Sequence, residues 1–414
     1  MSENSIATRK MKDSGVEWIG EIPEDRRIIR NKYALSFIKG KIPSEINTEQ
    51  KGIPYIGASD LDTLSGNANY LLYTSDVNVP MCNSEDVLVL WDGARAGLIG
   101  KNHTGAISST IVKITPDQFI NKHFFFWYLK GFEKYLYECV NGTTIPHMNK
   151  KYVEDIMMID WSLDDQKHIA DFLDDKCGKI DRYIEKQQQI IDKLKEYKQA
   201  VITEAVRCRE GWTSCHLGYL AQFKNGLNYS GLSTDVEISF LGVGDFQNNF
   251  ILDSKEMFSR LKYDGNMPED LLLSSGDIVF VRSNGSKELV GRSVLIENVD
   301  YPLTYSGFCI RMRNYRQDVV LNKFLLYRFW SNEFRQSLNR DSRGSNINNL
   351  NQELLSKLTV SFPDIEKQHE IIGFLGKKCA EIDRAIDKKQ SLIEKLTEYK
   401  ESLIYEAVTG KLEV

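Results

Sequence analysis

The chain has 414 residues, enough for two to four domains with real cores. Hydrophobic residues make up 42% and charged residues 27%, the balance of a globular protein in water, and no run of about 18 apolar residues offers a transmembrane helix. With 53 Lys and Arg against 58 Asp and Glu, the net charge of −5 excludes a protein that grips nucleic acid by bulk positive charge, so any phosphate contact must come from local clusters.

The opening "MSENSIATRKMKDSG" is polar and does not read as a secretory signal. Residues 10–160 read as mixed α/β. Strands are expected over Asp86–Leu90 and Ser109–Ile114, bounded by Gly, Asn and Asp, with a helix near 121–139. A proline-free stretch, 163–206, then reads as one long helix. Residues 211–362 return to the first pattern, with strands over Asp277–Val281 and Phe308–Met312 and a helix near 320–338. A second proline-free stretch, 364–408, closes the chain.

The two long helices are one text written twice. "KIDRYIEKQQQIIDKLKEYKQAVITEAV" (179–206) and "EIDRAIDKKQSLIEKLTEYKESLIYEAV" (381–408) align without a gap, 202 positions apart. The offset also pairs Gln166 with Gln368, Cys177 with Cys379, and "GTTIPHMN" (142–149) with "GSNINNLN" (344–351). More loosely, "YIGASDL" (55–61) resembles "FLGVGDF" (240–246), and "EDVLVLWDGARAGLIGK" (85–101) resembles "GDIVFVRSNGSKELVGR" (276–292). Each half is thus a variable globular part followed by a nearly fixed helix.

Both helices carry a heptad seam. In the first it runs through Leu173, Cys177, Ile180, Ile184, Gln187, Ile191, Leu194, Lys198, Val201 and Ala205. In the second it runs through Leu375, Cys379, Ile382, Ile386, Lys389, Ile393, Leu396, Lys400, Leu403 and Ala407. Two seams in one chain can pair with each other, making a rod of roughly 50 Å. The polar seam positions fix register.

Motifs for chemistry are missing from the sequence. It has no G-x-x-x-x-G-K-[ST], no HExxH and no Pro-Pro pair such as an amino-methyltransferase tetrapeptide needs. "LGVGDF" is a turn after a strand, and "PDIEK" (363–367) opens a helix, where acidic residues suit the dipole. The seven cysteines are scattered without a CxxC pair, which points to free thiols in a reducing, cytoplasmic setting and to no metal site. Cys177 and Cys379 sit on the seams as small hydrophobes.

The chain resembles the DNA-specificity subunit of type I restriction-modification systems. The resemblance is carried by "KDSGVEWIGEIPE" (12–24), "IMMIDWSLDDQKHIADFLDDKCGKID" (156–181), "VSFPDIEKQHEIIGFLGKKCAEID" (360–383), "EAVTGKLEV" (406–414) and the variable–helix–variable–helix order. It departs from the family at Arg26 and Arg27, where a Trp often follows "EIPE". The resemblance implies an α+β chain with a pseudo-two-fold repeat. Target-recognition domains would cover 1–162 and 211–362. Conserved helices over 163–210 and 363–414 would form an intramolecular antiparallel coiled coil. It further implies a non-catalytic, DNA-binding subunit of a restriction system, each recognition domain reading one half of an asymmetric bipartite site in double-stranded DNA. Two modification subunits would dock on the helices and methylate adenine with S-adenosylmethionine. Two restriction subunits, working with ATP and Mg, can join them.

None of the four segments is basic overall, but residues 311–343 gather Arg311, Arg313, Arg316, Lys323, Arg328, Arg335, Arg340 and Arg343. Base edges are read by Arg and Lys on guanine, Asn and Gln on adenine, Asp and Glu on cytosine, and loops at strand ends are where such groups sit. Two loop pairs qualify: 91–103 with 282–292, and 141–150 with 343–352. The candidates are Trp91, Arg95, Lys101, His103, Thr143, Thr144 and His147 in the first half, with Arg282, Ser283, Asn284, Lys287, Arg343, Ser345, Asn346 and Asn348 in the second. Asn149 and Asn351 recur in both halves and read as caps. Positions that differ, such as Trp91-Asp92 against Arg282-Ser283, are the better specificity determinants.

Two other classes compete with this reading. A stand-alone methyltransferase or nuclease would act on DNA without partners. A coiled-coil scaffold would leave a DNA footprint unchanged when residues 211–362 are exchanged.

Overall fold

Short apolar runs bounded by turn residues become strands, and the two proline-free stretches become helices of 43 and 44 residues. The structure, a computed structural model, describes residues 10–16, 19–30, 34–62, 70–140, 146–228, 236–246, 249–263, 267–284, 289–341 and 350–414. It divides into two units: Met1–Gln188 with Ser391–Val414, and Gln189–Gln390. Each unit therefore holds part of both long helices.

In the first unit an antiparallel sheet runs in the order Leu35–Lys39, Ile111–Pro116, Val87–Leu90, Ile99–Gly100. A second sheet runs Tyr73–Thr74, Ile53–Ile56, Gly105–Ile107, Met81–Cys82, with a parallel pair at its centre. Val87–Leu90 is buried on both faces, which is why it reads as an unbroken apolar run. Helix α1 (Lys122–Gly131) buries six consecutive residues, Phe124 to Leu129, so it is covered all round. Around it lie α2 (Glu133–Val140), α3 (Lys150–Glu154) and the first part of α4 (Leu163–Ala205).

The second unit repeats this plan. Its five-stranded sheet runs Ala221–Asn225, Cys309–Asn314, Ile278–Val281, Ser293–Ile296, Ile251–Leu252, and its three-stranded sheet runs Ser259–Tyr263, Val236–Leu241, Leu303–Tyr305. Helices α5 (Asn322–Trp330), α6 (Asn332–Asp341), α7 (Gln352–Lys357) and the first part of α8 (Ile365–Val408) follow in the same order. The glycines closing the first strand of each sheet answer to a shared constraint. A Cβ on Gly40 or Gly226 would lie 2.2 Å from a carbonyl oxygen of the neighbouring strand turn.

The expected helix over 121–139 is two helices, as is the one over 320–338. Phe132 leaves the helical region at φ −110°, ψ 9°, its N–H donating to Leu129 and Lys130 carbonyls. Ser331 sits at φ −67°, ψ 149°. Its Oγ donates to the Arg328 carbonyl at 2.6 Å and accepts from the Phe334 N–H at 3.3 Å, ending one helix and capping the next. The first break follows Gly131, a breaker the sequence offered, whereas the second contains neither Gly nor Pro and was not legible from punctuation. The "LGVGDF" segment is a turn after a strand: the Gly242 N–H donates to Asp245 Oδ2 at 2.7 Å, as Gly57 does to Asp60 in the first unit.

The helix seams are inward everywhere. All ten seam positions of α4 and all ten of α8 are buried or half-buried. In the first unit Leu173 and Cys177 share a core with Leu403, Ala407 and α1. Lys400 Nζ lies 2.5 Å from Asp181 Oδ1, and Trp161 Nε1 donates to the Val408 carbonyl at 3.2 Å, so the two helix segments run antiparallel. In the second unit Ile202 and Val206 share a core with Leu375 and Cys379, and Lys198 Nζ lies 2.7 Å from Asp383. Lys198 and Lys400 thus end on aspartates of the facing helix, which satisfies their charge where an apolar residue would be expected.

A fully enclosed glutamine ties each long helix to its own globular part. Gln166 accepts from the Asn121 N–H at 2.7 Å and donates to the Phe119 and Trp161 carbonyls at 3.2 and 3.0 Å. Gln368 accepts from the Leu321 N–H at 2.8 Å and donates to the Val319 and Pro363 carbonyls at 2.9 and 2.8 Å. Both amides are saturated by main chain, the condition for burying them.

Candidate nucleic-acid interface

Each unit brings its two candidate loops together at the end of its central strand. In the first, the strand Val87–Leu90 runs out through Trp91 into a turn anchored by the second loop. The Met148 N–H donates to the Trp91 carbonyl at 2.8 Å, the Gly93 N–H donates to the Pro146 carbonyl at 3.2 Å, and Asp92 and His147 form a β-bridge. Lys39, at the end of the sheet's edge strand Leu35–Lys39, places Nζ 2.9 Å from Asp92 Oδ2, while His147 Nδ1 hydrogen-bonds Asp92 Oδ1. Lys150 lies over the Phe37 ring, 5.1 Å from its centroid. Burial raises the Asp92 carboxyl, but hydrogen bonds and charge from Lys39 and His147 outweigh it and hold the group below its ordinary value. The result is an ionised carboxylate inside a rim of cationic and imidazole side chains.

The second unit uses the same scaffold with different chemistry. Arg282 follows Val281 as Trp91 follows Leu90. Its N–H donates to the Phe308 carbonyl at 2.7 Å, as that of Trp91 does to Thr110, and its carbonyl accepts from the Leu350 N–H at 2.7 Å. Its guanidinium Nη1 donates to the Gly307 carbonyl at 3.2 Å. Phe308, where the first unit has Thr110, is 63% exposed, a large apolar side chain held outside the core beside a guanidinium. Ser283 stands where Asp92 does in the first unit.

Three residues singled out in the sequence belong to the packing rather than to an open loop. Trp91 is 7% exposed and meets Phe37 edge-on at 6.1 Å. His103 is 1% exposed, its Nδ1 3.2 Å from the Tyr70 hydroxyl. Lys101 lies over the rings of Phe126 and Trp127 and places Nζ 3.2 Å from Asp174 Oδ1 on α4. Burial lowers its pKa, opposed by Asp174. Their loop reads as polar and Gly-rich, but the chain turns back into the core at each of these positions. Arg95, His147, Arg282, Ser283 and Asn284 remain at least partly accessible. Arg95 donates to the Ala58 carbonyl at 3.1 Å. Thr143, Thr144, Lys287, Arg343, Ser345, Asn346 and Asn348 lie outside the described residues. Asn149 and Asn351 are helix N-caps, accepting from Lys151 and Leu354 N–H groups.

The Arg-rich stretch is not one open basic face: Arg311 and Arg328 are buried, while the exposed Arg316 and Lys323 pair with Asp318 and Glu297. Arg311 is 3% exposed and donates to the Asp270 and Leu272 carbonyls, Arg313 pairs with the buried Asp277 at 2.7 Å, and Arg328 pairs with Glu333 at 2.6 Å. Sequence reading missed Lys39 and Phe308. Phe308 had a signal, an aromatic between "SG" and a buried strand; Lys39 had none, because its place beside Asp92 depends on sheet pairing.

A family model for the type I restriction modification DNA specificity domain matches residues 34–196 and again 209–396. The chain belongs to this family. The two matches follow the internal repeat, one to each half. Among curated relatives, the type I restriction enzyme MjaVIII specificity subunit of Methanocaldococcus jannaschii is 26% identical over 418 residues, covering 95% of this chain and 94% of that protein. The StySPI specificity subunit of Salmonella potsdam is 25% identical over 353 residues, covering 79% and 75%. A solved structure from work on complex assembly and conformational transition of the type I R-M system shares the fold, with a TM-score of 0.67 at 13% identity over 94% of this chain and 99% of that one. Among the described residues no helix is long and apolar enough to cross a membrane.

Proposed function

We propose that this chain is the sequence-specific DNA-binding subunit of a type I restriction-modification complex. Each unit reads one half of an asymmetric bipartite site, and the paired helices set the spacer as a coiled-coil rod. The observation that carries this reading is the repeat of one scaffold with different side chains at its strand end, Asp92 against Ser283 and the inward-packed Trp91 against the partly accessible Arg282, while the helices beneath stay nearly the same. A conserved frame with divergent tips is what two readers of two sequences require, and half-site spacing mirrors protein geometry. Arg95 and His147 in the first unit and Arg282, Ser283 and Asn284 in the second carry base readout, with Thr143, Thr144, Lys287, Arg343, Ser345, Asn346 and Asn348 as further members of the same loops. Phe308 is placed to contact a thymine methyl or wedge a base step.

The chain itself is non-catalytic in this reading. Two modification subunits dock on the helices and carry S-adenosylmethionine; restriction subunits, where they join, carry ATP and Mg. With a net charge of −5, the chain alone binds DNA weakly, and partners supply most of the backbone clamp. Methylome sequencing of cells carrying the chain with its modification partner tests the proposal. The expected result is one split motif with a constant spacer, of which only one half changes when residues 211–362 are exchanged for another reader. A continuous motif, or one indifferent to the exchange, defeats it.

A further inference from the structure

We infer that Asp92 is a specificity-determining residue that accepts a hydrogen bond from the exocyclic amino group of a cytosine or adenine in the half-site read by the first unit. The inference rests on the DNA-reading role proposed above.

The scaffold shared by the two units does not require a carboxylate at the place of Asp92. Its side-chain partners, Lys39 and His147, are themselves 49% and 57% exposed and could be satisfied by water. The equivalent place in the second unit is held by Ser283 on the same strand end. A carboxylate facing DNA is repelled by phosphates, so its presence on this surface is unfavourable unless it meets a donor. In the major groove the donors are the amino groups of cytosine and adenine, and a carboxylate is an acceptor only. Lys39 offsets the negative charge, and Lys39 and His147 together hold the carboxylate in one orientation through both oxygens. The lowered pKa keeps it ionised at neutral pH. On binding, Lys39 is within reach of a phosphate by rotation of its flexible stem, leaving Asp92 Oδ2 open to the base.

The test uses the full chain assembled with its modification subunits and a DNA pool randomised over both half-sites. Two variants are compared with the parent: Asp92→Asn, which keeps the shape, and Asp92→Ser, which installs the side chain the second unit tolerates. Asp92→Ser is expected to lose about ten-fold or more of discrimination at one base pair of one half-site, and Asp92→Asn to lose it where the base is cytosine and keep it where it is adenine, each leaving the other half unchanged. Lys39→Met should instead weaken binding evenly across sequences and reduce the salt dependence by about one phosphate contact. Unchanged base preference in both Asp92 variants overturns the inference. So does a uniform change in affinity at every position, which would mark a charge acting on phosphates alone. A parent complex without preference in either half would instead sink the specificity-subunit reading itself.

Discussion

The two units solve the same packing problem with the same polar anchors and different electrostatics. Gln166 and Gln368 make equivalent sets of main-chain hydrogen bonds, and Lys400–Asp181 and Lys198–Asp383 are the same ion pair at the 202-residue offset. The difference lies about two turns along the helix from the glutamine. In the first unit Asp174 collects Lys101 at 3.2 Å, His123 at 2.6 Å and the Trp127 indole N–H at 2.9 Å. The offset puts Gly376 at that place in the second unit, where no such cluster can form. The second unit instead has an aromatic contact on its other helix segment, where Phe250 stacks on Trp330 at 3.9 Å and lies under Lys198 of α4. What repeats is the frame; what differs is how each globular part is fastened to its helix segment.

The largest test of that comparison is truncation of the matched core residues. Leu173→Ala and Leu375→Ala each empty a fully buried site and should cost about 2–5 kcal/mol. Hydrogen exchange should report the loss in the first unit for one variant and in the second for the other. Next, Gln166→Ala and Gln368→Ala should each cost about 1–3 kcal/mol by orphaning a buried N–H and two carbonyls. Clearly unequal costs in urea unfolding would break the equivalence.

Asp174→Asn should act on the first unit alone. Burial raises the Asp174 carboxyl, but Lys101, His123 and Trp127 outweigh it, so the folded pKa is depressed. A depressed carboxyl contributes stability that is complete above its unfolded pKa near about 3.9 and is lost as pH falls through the folded value. The variant should therefore flatten the acid limb of the first unit's unfolding and leave that of the second unchanged. The smallest effects belong to Lys198→Met and Lys400→Met. Their aspartate partners are about half exposed, so each change should move stability by under about 1 kcal/mol. A loss several times larger would mean that the ion pairs, and not the apolar seam, hold the helices together.

The long helices were legible because they satisfy several rules at once: heptad spacing, absence of Pro, and an acidic residue near each start. The strands Val87–Leu90 and Ile278–Val281 were legible within a residue or two as short apolar runs ended by polar turns. The helix break at Phe132 had a signal in the preceding Gly131, but the one at Ser331 had none, since it depends on hydrogen bonds that only the fold supplies. The candidate site was half legible. Loop composition found the strand ends and the junction of the two loops, but not which side chains turn inward. His103 and Lys101 look like surface groups until the rings of Tyr70, Phe126 and Trp127 are placed around them. Lys39 became visible only through its register, opposite Val112.

The first unit is discontinuous, whereas the second is a single stretch, and this sets an order in time. The indole of Trp161 finds its acceptor on Val408, 247 positions away, and Leu403, Ile404 and Ala407 complete the core around α1. At about 5–20 residues per second of synthesis, that acceptor reaches the ribosome exit on the order of tens of seconds after Trp161. During that interval the nascent first unit carries an uncovered apolar stripe on α1 and α4, while the second unit is still being made. The half of the protein that is translated first is thus the half that finishes folding last, and a chaperone has its longest opportunity to bind there.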